Sequence, residues 1–180
     1  MARSLMVTGG AGFIGVNFVY HWAEAHPDDT VVVLDALTYA GNRLSLEPLE
    51  QAGRIRFTEG DICDADLIAQ IMADHDTDTV VHFAAESHVD RSITGPDAFI
   101  RTNLEGTHTV LAAARSAWLS GSGREHRFHH VSTDEVYGSL APEDPAFTET
   151  TRYEPNSPYS ASKAGSDHLV RAYQHTYGLQ

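Results

Sequence analysis

Tyr159 and Lys163 lie four residues apart in a stretch of helical periodicity, which puts a phenol and an ammonium on one helix face. A phenol, with an ordinary pKa of about 10, is a poor base at neutral pH. An adjacent ammonium favours the phenolate and lowers that value, which makes Tyr159 a candidate general base and Lys163 its helper. Upstream, Ser132-Thr133-Asp134-Glu135 closes the expected strand from Phe128 with two hydroxyls and then two adjacent carboxyls. Such carboxyls can divide acid and base work when their surroundings push their pKa values apart. Each pattern also has a plain reading, a surface Tyr–Lys pair or an exposed acidic turn. What decides is the framework that holds them.

That framework starts at Val7-Thr8-Gly9-Gly10-Ala11-Gly12-Phe13-Ile14-Gly15. Leu5-Met6-Val7 reads as a buried strand, and Phe13, Ile14, Phe18, Val19 and Trp22 recur at helical spacing, so strand passes into helix across the glycines. Gly9 permits the tight turn, Gly12 lets the backbone approach a diphosphate, and Gly15 lets the helix pack on its strand. Two registers fit, Gly9/Gly12/Gly15 and Gly10/Gly12/Gly15. Phe13 and Ile14 open a helix whose N–H groups and dipole would meet the phosphates. The next strand, Thr30 to Leu34, ends at Asp35, 26 residues after Gly9. An acid there accepts both ribose hydroxyls of an adenosine and repels a 2′-phosphate, which selects NAD over NADP. Gly60-Asp61-Ile62 follows a third strand, and Asp61 either faces the adenine end of a dinucleotide or caps the helix from Ala65 to Asp74. Ala84-Ala85, at the end of a fourth strand, leaves room for a cofactor to lie across the sheet. The positive charge of a nicotinamide ring would then be a second reason for Tyr159 to ionise.

Strand and helix alternate along the chain. Strands are expected at Leu5–Val7, Thr30–Leu34, Arg54–Thr58, Thr79–Phe83 and Phe128–Ser132. Helices are expected from the glycines to about Ala25, over Ala65–Asp74 and Asp97–Trp118, and from about Ser157 to Tyr177. The pattern predicts an α/β fold, a Rossmann-type doubly wound parallel sheet of strand order 3-2-1-4-5 with right-handed crossovers. Leu37 to Leu46 reads as an irregular loop, Gly121-Ser122-Gly123 as a short turn, and Pro142 to Pro158 as an ordered surface loop.

Twelve Lys and Arg against 25 Asp and Glu give a formal net charge of −13. A nucleic-acid surface would be basic, so nucleic acid is excluded as a partner, whereas a backbone-built site for a small anion is not. Cys63 is the single cysteine, so no internal disulfide forms and a reducing, cytoplasmic setting is expected. The first strand begins too close to Met1 for a signal peptide, and no apolar run nears the ~20 residues of a membrane span. His129 and His130, as strand neighbours, point to opposite faces, so with His126 they are not expected to hold a metal.

Together these motifs resemble the extended short-chain dehydrogenase/reductase family, on Thr8 to Gly15 at the start and Tyr159 and Lys163 near the end. Within it the chain is similar to the nucleotide-sugar 4,6-dehydratases that act on dTDP-glucose. Three stretches carry that likeness: Asp35-Ala36-Leu37-Thr38-Tyr39-Ala40-Gly41-Asn42, Ala84-Ala85-Glu86-Ser87-His88-Val89-Asp90-Arg91-Ser92 and Ser132-Thr133-Asp134-Glu135-Val136-Tyr137-Gly138. The resemblance implies a tightly held NAD⁺ that is reduced and reoxidised in each turnover, so that the net reaction is loss of water from a nucleotide-diphosphate hexose. Oxidation at C4 acidifies the C5 proton, water leaves across C5–C6, and hydride returns to C6. Tyr159 would take the proton of the 4-hydroxyl and Thr133 would hydrogen-bond the C4 oxygen. By the same likeness Asp134 is the acid at the C6 oxygen and Glu135 the base at C5. Ser87 and His88 are candidates to touch substrate or cofactor, although His88 reads as easily as a loop histidine. The family also implies a homodimer through the helices at 97–118 and 157–177.

Members of that family are much longer, so residues 1–180 are expected to be the NAD-binding domain with its catalytic residues, the substrate-binding domain being absent from this chain. Two other readings stay open. One is a related sugar-nucleotide enzyme, another 4,6-dehydratase or a 4-epimerase; an epimerase keeps the Tyr and Lys without needing the acid pair. The other is an NAD-binding module with no activity.

Overall fold

Val7 pairs with Val33 on one side and Val81 on the other, which puts β1 (Ser4–Thr8) at the centre of a parallel sheet. Its neighbours are β2 (Thr30–Asp35) and β4 (Thr79–His82), flanked in turn by β3 (Arg56–Glu59) and β5 (Arg127–His130), in the order β3-β2-β1-β4-β5. The computed structural model describes residues 2–122 and 125–180. Strand alternation sends Met6, Val32, Leu34 and Val80 to one face and Leu5, Val7, Val31, Val33 and Val81 to the other. Both faces are covered, so these strands read as unbroken apolar runs. On the first face pack Ile68, Ile71 and Met72 of α3 (Ala65–Asp74) and Val110, Leu111 and Ala114 of α6 (Thr107–Ala117). On the second, Val19 of α1 (Phe13–Ala25) packs with Leu46 and Ile55. The fold is the doubly wound sheet that the alternation of elements predicts.

The last helix, α7 (Pro158–Tyr177), has sharp ends for local reasons. A capping box between Ser157 and Ser160 and Pro158 in the first turn start it, and Gly178, at φ +76°, ends it in the left-handed conformation. The helix expected over Asp97–Trp118 is a continuous helical run but not a uniform one. It comprises α5 (Pro96–Phe99), a wider π-helical stretch over Ile100–Gly106, α6, and a second π-helical stretch over Trp118–Ser122. The wide turn sits where buried Asn103 bonds sideways to Glu86 and Ser162, and where Gly106 packs so tightly that a Cβ would strike the Ile62 side chain. The turn read at Gly121-Ser122-Gly123 is therefore still helical through Ser122, while Gly123 lies outside the described residues.

Two further helices are too short to announce themselves by periodicity. The first is α2 (Glu47–Gln51), which follows a 3-10 turn over Arg43–Ser45 within the supposed irregular loop; Asn42 caps that turn by accepting the N–H of Leu44 at 3.2 Å. The second is α4 (Val89–Thr94), just after β4. β3 starts two residues and ends one residue later than expected, and β5 starts one residue and ends two residues earlier. Among the described residues no helix is long and apolar enough to cross a membrane.

Candidate active site

At the C-terminal ends of the strands a cleft of about 560 Å³ lies over β1 and β4, where the strand order reverses. Gly9, at φ +69°, and Gly15 make its floor: a Cβ on Gly9 would strike the backbone of Phe83 and Ala84, and one on Gly15 would strike the Gly9 carbonyl. The N-cap of α1 is Gly12, whose lack of a side chain leaves the positive end of a 13-residue helix open to the cleft. Phe13 and Ile14, 86% and 63% exposed, flank that opening. Ala84, Ala85 and Ser87 line the wall above β4. His88 does not line the cleft; it is exposed and occupies the N-cap position of α4, where the backbone turns away.

At the β2 end, Asp35 accepts the N–H of Ala11 on Oδ2 and that of Leu37 on Oδ1, both at 2.9 Å. The carboxylate thus ties the glycine turn to β2 and faces the cleft with a lone pair left on each oxygen. Asp61 and Ile62 line the next stretch of wall. The cap reading of Asp61 is corrected here: Asp64 caps α3, accepting the N–H of Leu67 at 3.0 Å. Asp61 instead accepts the N–H of Cys63 at 2.9 Å and a guanidinium N–H of Arg101 at 2.7 Å. Burial pushes its carboxyl up, but those two donors outweigh it and hold the group below its ordinary range.

Tyr159 and Lys163 line the opposite end, beside β5. The expectation that Lys163 lowers the Tyr159 pKa is not met in this structure. Burial raises the phenol, a hydrogen bond with Thr133 pulls it back, and Glu135 and Asp134 push it further up. The Lys163 ammonium, 5% exposed, points elsewhere and donates to the carbonyl of Val131 at 2.7 Å. Its own pKa falls to about 8 through burial, opposed by Asp167. Thr133 also caps a 3-10 turn over Asp134–Tyr137, its hydroxyl accepting the N–H of Glu135 at 3.3 Å, and buried Val136 anchors that turn. Thr133, Asp134 and Glu135 do not form the cleft wall, but they gather close enough to the phenol to shift it. Among the described residues no group of three His, Cys, Asp or Glu side chains is placed to hold a metal.

The sequence profile described as GDP-mannose 4,6 dehydratase matches residues 6–180. The chain belongs to the GDP-mannose 4,6-dehydratase family. It is 56% identical over 186 residues to dTDP-glucose 4,6-dehydratase 1 of Escherichia coli (strain K12), an alignment covering 97% of this chain and 51% of that protein. The structure of a dTDP-glucose 4,6-dehydratase from Streptomyces venezuelae, with NAD and dTDP bound, is similar at a TM-score of 0.88 and 54% identity, over 98% of this chain and 53% of that one. A UDP-glucose 4-epimerase from Brucella ovis, in complex with NAD, matches at a TM-score of 0.84 and 29% identity, over 99% of this chain and 50% of that one. The chain spans about half the length of the curated relatives it matches. The likeness to extended short-chain dehydrogenase/reductases drawn from the motifs agrees with these matches.

In this member of the GDP-mannose 4,6-dehydratase family, sequence reasoning missed three groups around the cleft. Asn103 is 1% exposed and joins the loop after β4 to α7: its amide donates to the Glu86 carbonyl at 2.9 Å and to the Ser162 hydroxyl at 2.8 Å, and its oxygen accepts the Glu86 N–H at 2.9 Å. Asp167 accepts the hydroxyls of Ser132 at 2.6 Å and Tyr153 at 2.9 Å, and His130 Nε2 lies 3.1 Å from its other oxygen. Burial alone would raise that carboxyl; His130, Ser132 and Tyr153 lower it on balance. A signal for Asp167 was present, since it follows Lys163 by four residues on the same helix face. Nothing local announces Asn103 or Arg101, because their partners are set only by packing.

Proposed function

We propose that this chain is the cofactor-binding, catalytic part of a longer dTDP-glucose 4,6-dehydratase that uses NAD⁺. The observation that carries the reading is the clustering of Thr133, Asp134 and Glu135 on the Tyr159 phenol, at one end of a glycine-floored cleft. The residues present fit the dinucleotide. An uncapped helix N-terminus suits its diphosphate, Asp35 has acceptor capacity for ribose hydroxyls, and Gly9, Ala84 and Ala85 leave room for it to lie across β1 and β4. The names of the relatives and the NAD in their structures support the same assignment.

Bound NAD⁺ would supply the acceptor and donor of hydride, together with a positive ring whose charge offsets the burial that raises Tyr159. Tyr159 takes the proton of the C4 hydroxyl, and the Thr133 hydroxyl bonds the C4 oxygen as it becomes a carbonyl. The C4 carbonyl acidifies C5, where Glu135 removes the proton while Asp134 protonates the departing 6-hydroxyl; Glu135 would then return its proton to C5 as hydride comes back to C6, so that only water is lost. Lys163 holds α7 against the end of β5 and keeps a cation beside the reacting end of the cleft. The acid pair favours dehydration over 4-epimerisation, which exchanges hydride at C4 without expelling a hydroxyl. The remaining length of the protein would grip the nucleotide diphosphate of the sugar. A homodimer through the 97–118 run and α7, in the cytoplasm, belongs to the same reading.

Two measurements test it. Calorimetric titration of the chain should show NAD⁺ binding in clear preference to NADP⁺. The full-length protein given dTDP-glucose should form a 4-keto product; an epimerised sugar instead, or no turnover with cofactor bound, would overturn the assignment.

A further inference from the structure

Arg101 and Asp61 bridge two walls of the cleft at the end away from Tyr159 and Lys163. Asp61 comes from the turn after β3, and Arg101 from the π-helical stretch that leads into α6. The guanidinium holds Asp61 Oδ2 at 2.7 Å, while the N–H of Cys63 holds Oδ1 at 2.9 Å. Both oxygens are thereby fixed by donors from different elements, and the carboxylate still has acceptor capacity left. The side chains are 56% and 41% exposed, and an ion pair so accessible adds little to folding stability. The pair therefore has room to act on a ligand at small cost to the fold.

The end it occupies is set by the sheet. β2 and β3 lie on one side of β1, and β4 and β5 on the other. Asp35 and Asp61 therefore flank the adenosine half of a dinucleotide whose other half reaches Tyr159. An ionised carboxylate only accepts hydrogen bonds, and one held from two sides aims its free lone pairs in a fixed direction. A purine with an amine at C6 can donate to it; a purine with a carbonyl at C6 sets oxygen against oxygen. We propose that Arg101 is a specificity-determining residue which, by clamping Asp61, makes this cleft choose a 6-amino purine over a 6-oxo purine. The inference rests on the cofactor reading above and deepens it.

The test is calorimetric titration of the chain with NAD⁺ and with nicotinamide hypoxanthine dinucleotide, whose purine carries a carbonyl in place of the amine at C6 and a proton on N1. The ratio of the two Kd values is read within one preparation, so a partly folded variant still reports. The original chain should favour NAD⁺ by roughly tenfold, the worth of one good hydrogen bond. Arg101→Ala should weaken NAD⁺ and bring the ratio to within about twofold, leaving the hypoxanthine dinucleotide almost unchanged. Asp61→Asn should lose the preference likewise, and adding Arg101→Ala to it should change the ratio no further. An unaltered ratio in Arg101→Ala, with NAD⁺ still bound, overturns the clamp and leaves the cofactor reading standing. A further change in the double variant also overturns it, because Arg101 would then act directly. If the folded original chain binds neither dinucleotide, the cofactor reading falls and the clamp falls with it.

Discussion

The ammonium of Lys163 donates to the carbonyl of Val131 at 2.7 Å, so the helix bearing the Tyr–Lys pair is latched to the end of β5 by the lysine itself. The same contact keeps a cation almost wholly buried at the reacting end of the cleft. Position and charge are therefore coupled at this residue, with a consequence for stability.

Burial lowers the Lys163 pKa from 10.5 to about 8, with Asp167 opposing. The folded protein holds this proton less tightly than the unfolded chain does. The group therefore costs stability in full below pH 8, and the cost fades as pH rises towards 10.5, by on the order of 3 kcal/mol in all. Lys163→Met should raise the melting temperature near pH 7 by a few degrees, less whatever the unpartnered Val131 carbonyl takes back. Melts of both proteins at neutral and strongly alkaline pH check this. The gain should shrink as pH rises, and a gain that grows with pH would contradict it.

Asp35 has a structural duty as well as a proposed one, because its two oxygens hold the N–H groups of Ala11 and Leu37. Asp35→Asn replaces one acceptor by a donor, so one of those N–H groups faces another N–H. Unfolding by denaturant should show a loss of roughly 1–3 kcal/mol. Calorimetry should show NAD⁺ weakened and its margin over NADP⁺ reduced. An unchanged margin would remove Asp35 from cofactor selection while leaving its role in the turn.

In the full-length protein, the phenol and the carboxyl pair should fail at different steps. Tyr159→Phe is expected to abolish oxidation at C4. Asp134→Asn and Glu135→Gln should permit oxidation and block elimination, so that reduced cofactor accumulates with little product. Absorbance of the reduced nicotinamide during a single turnover separates the two cases. Loss of that signal in Asp134→Asn as complete as in Tyr159→Phe would refute the division of labour.

Acid should destabilise the fold through its buried histidines. His82 is 1% exposed, with Nδ1 2.6 Å from the Thr8 hydroxyl and Nε2 3.0 Å from that of Thr107. Burial first, then the charges of His130 and Lys163, lower its pKa well below 6.5. His130 is lowered too, chiefly by burial, although Asp167 pulls the other way. The unfolded chain takes up protons that the fold refuses, so stability is intact above pH 6.5 and is lost as pH falls below it, at up to about 1.4 kcal/mol per pH unit for His82, with His130 acting in the same direction. His82→Gln should make that acid limb shallower by one such slope in stability measured from pH 7 down to 5. Equal slopes in the two proteins would show that His82 is not the group responsible.

The sheet and the glycine cradle were legible in the sequence because each follows from a constraint acting over a few residues. A strand covered on both faces must be apolar throughout, as Val31 to Leu34 are, and the strand-to-helix turn needs Gly9 and Gly15 because a Cβ at either would meet backbone. Tyr159 and Lys163 share a helix face by spacing alone. Where their polar atoms go was decided by packing. The ammonium met the carbonyl of Val131, 32 residues earlier, instead of serving the phenol. By its place before α3, Asp61 could have been that helix's cap, but Asp64 takes the position, and Arg101, 40 residues after Asp61, bonds Asp61 at the cleft instead. Asn103 and Asp167 likewise acquired their partners only when distant elements came together. Backbone preference and apolar burial are properties of short stretches and survive in the sequence, whereas a hydrogen bond or a pKa depends on which charge and how little water stand a few ångströms away, and only the tertiary structure sets those.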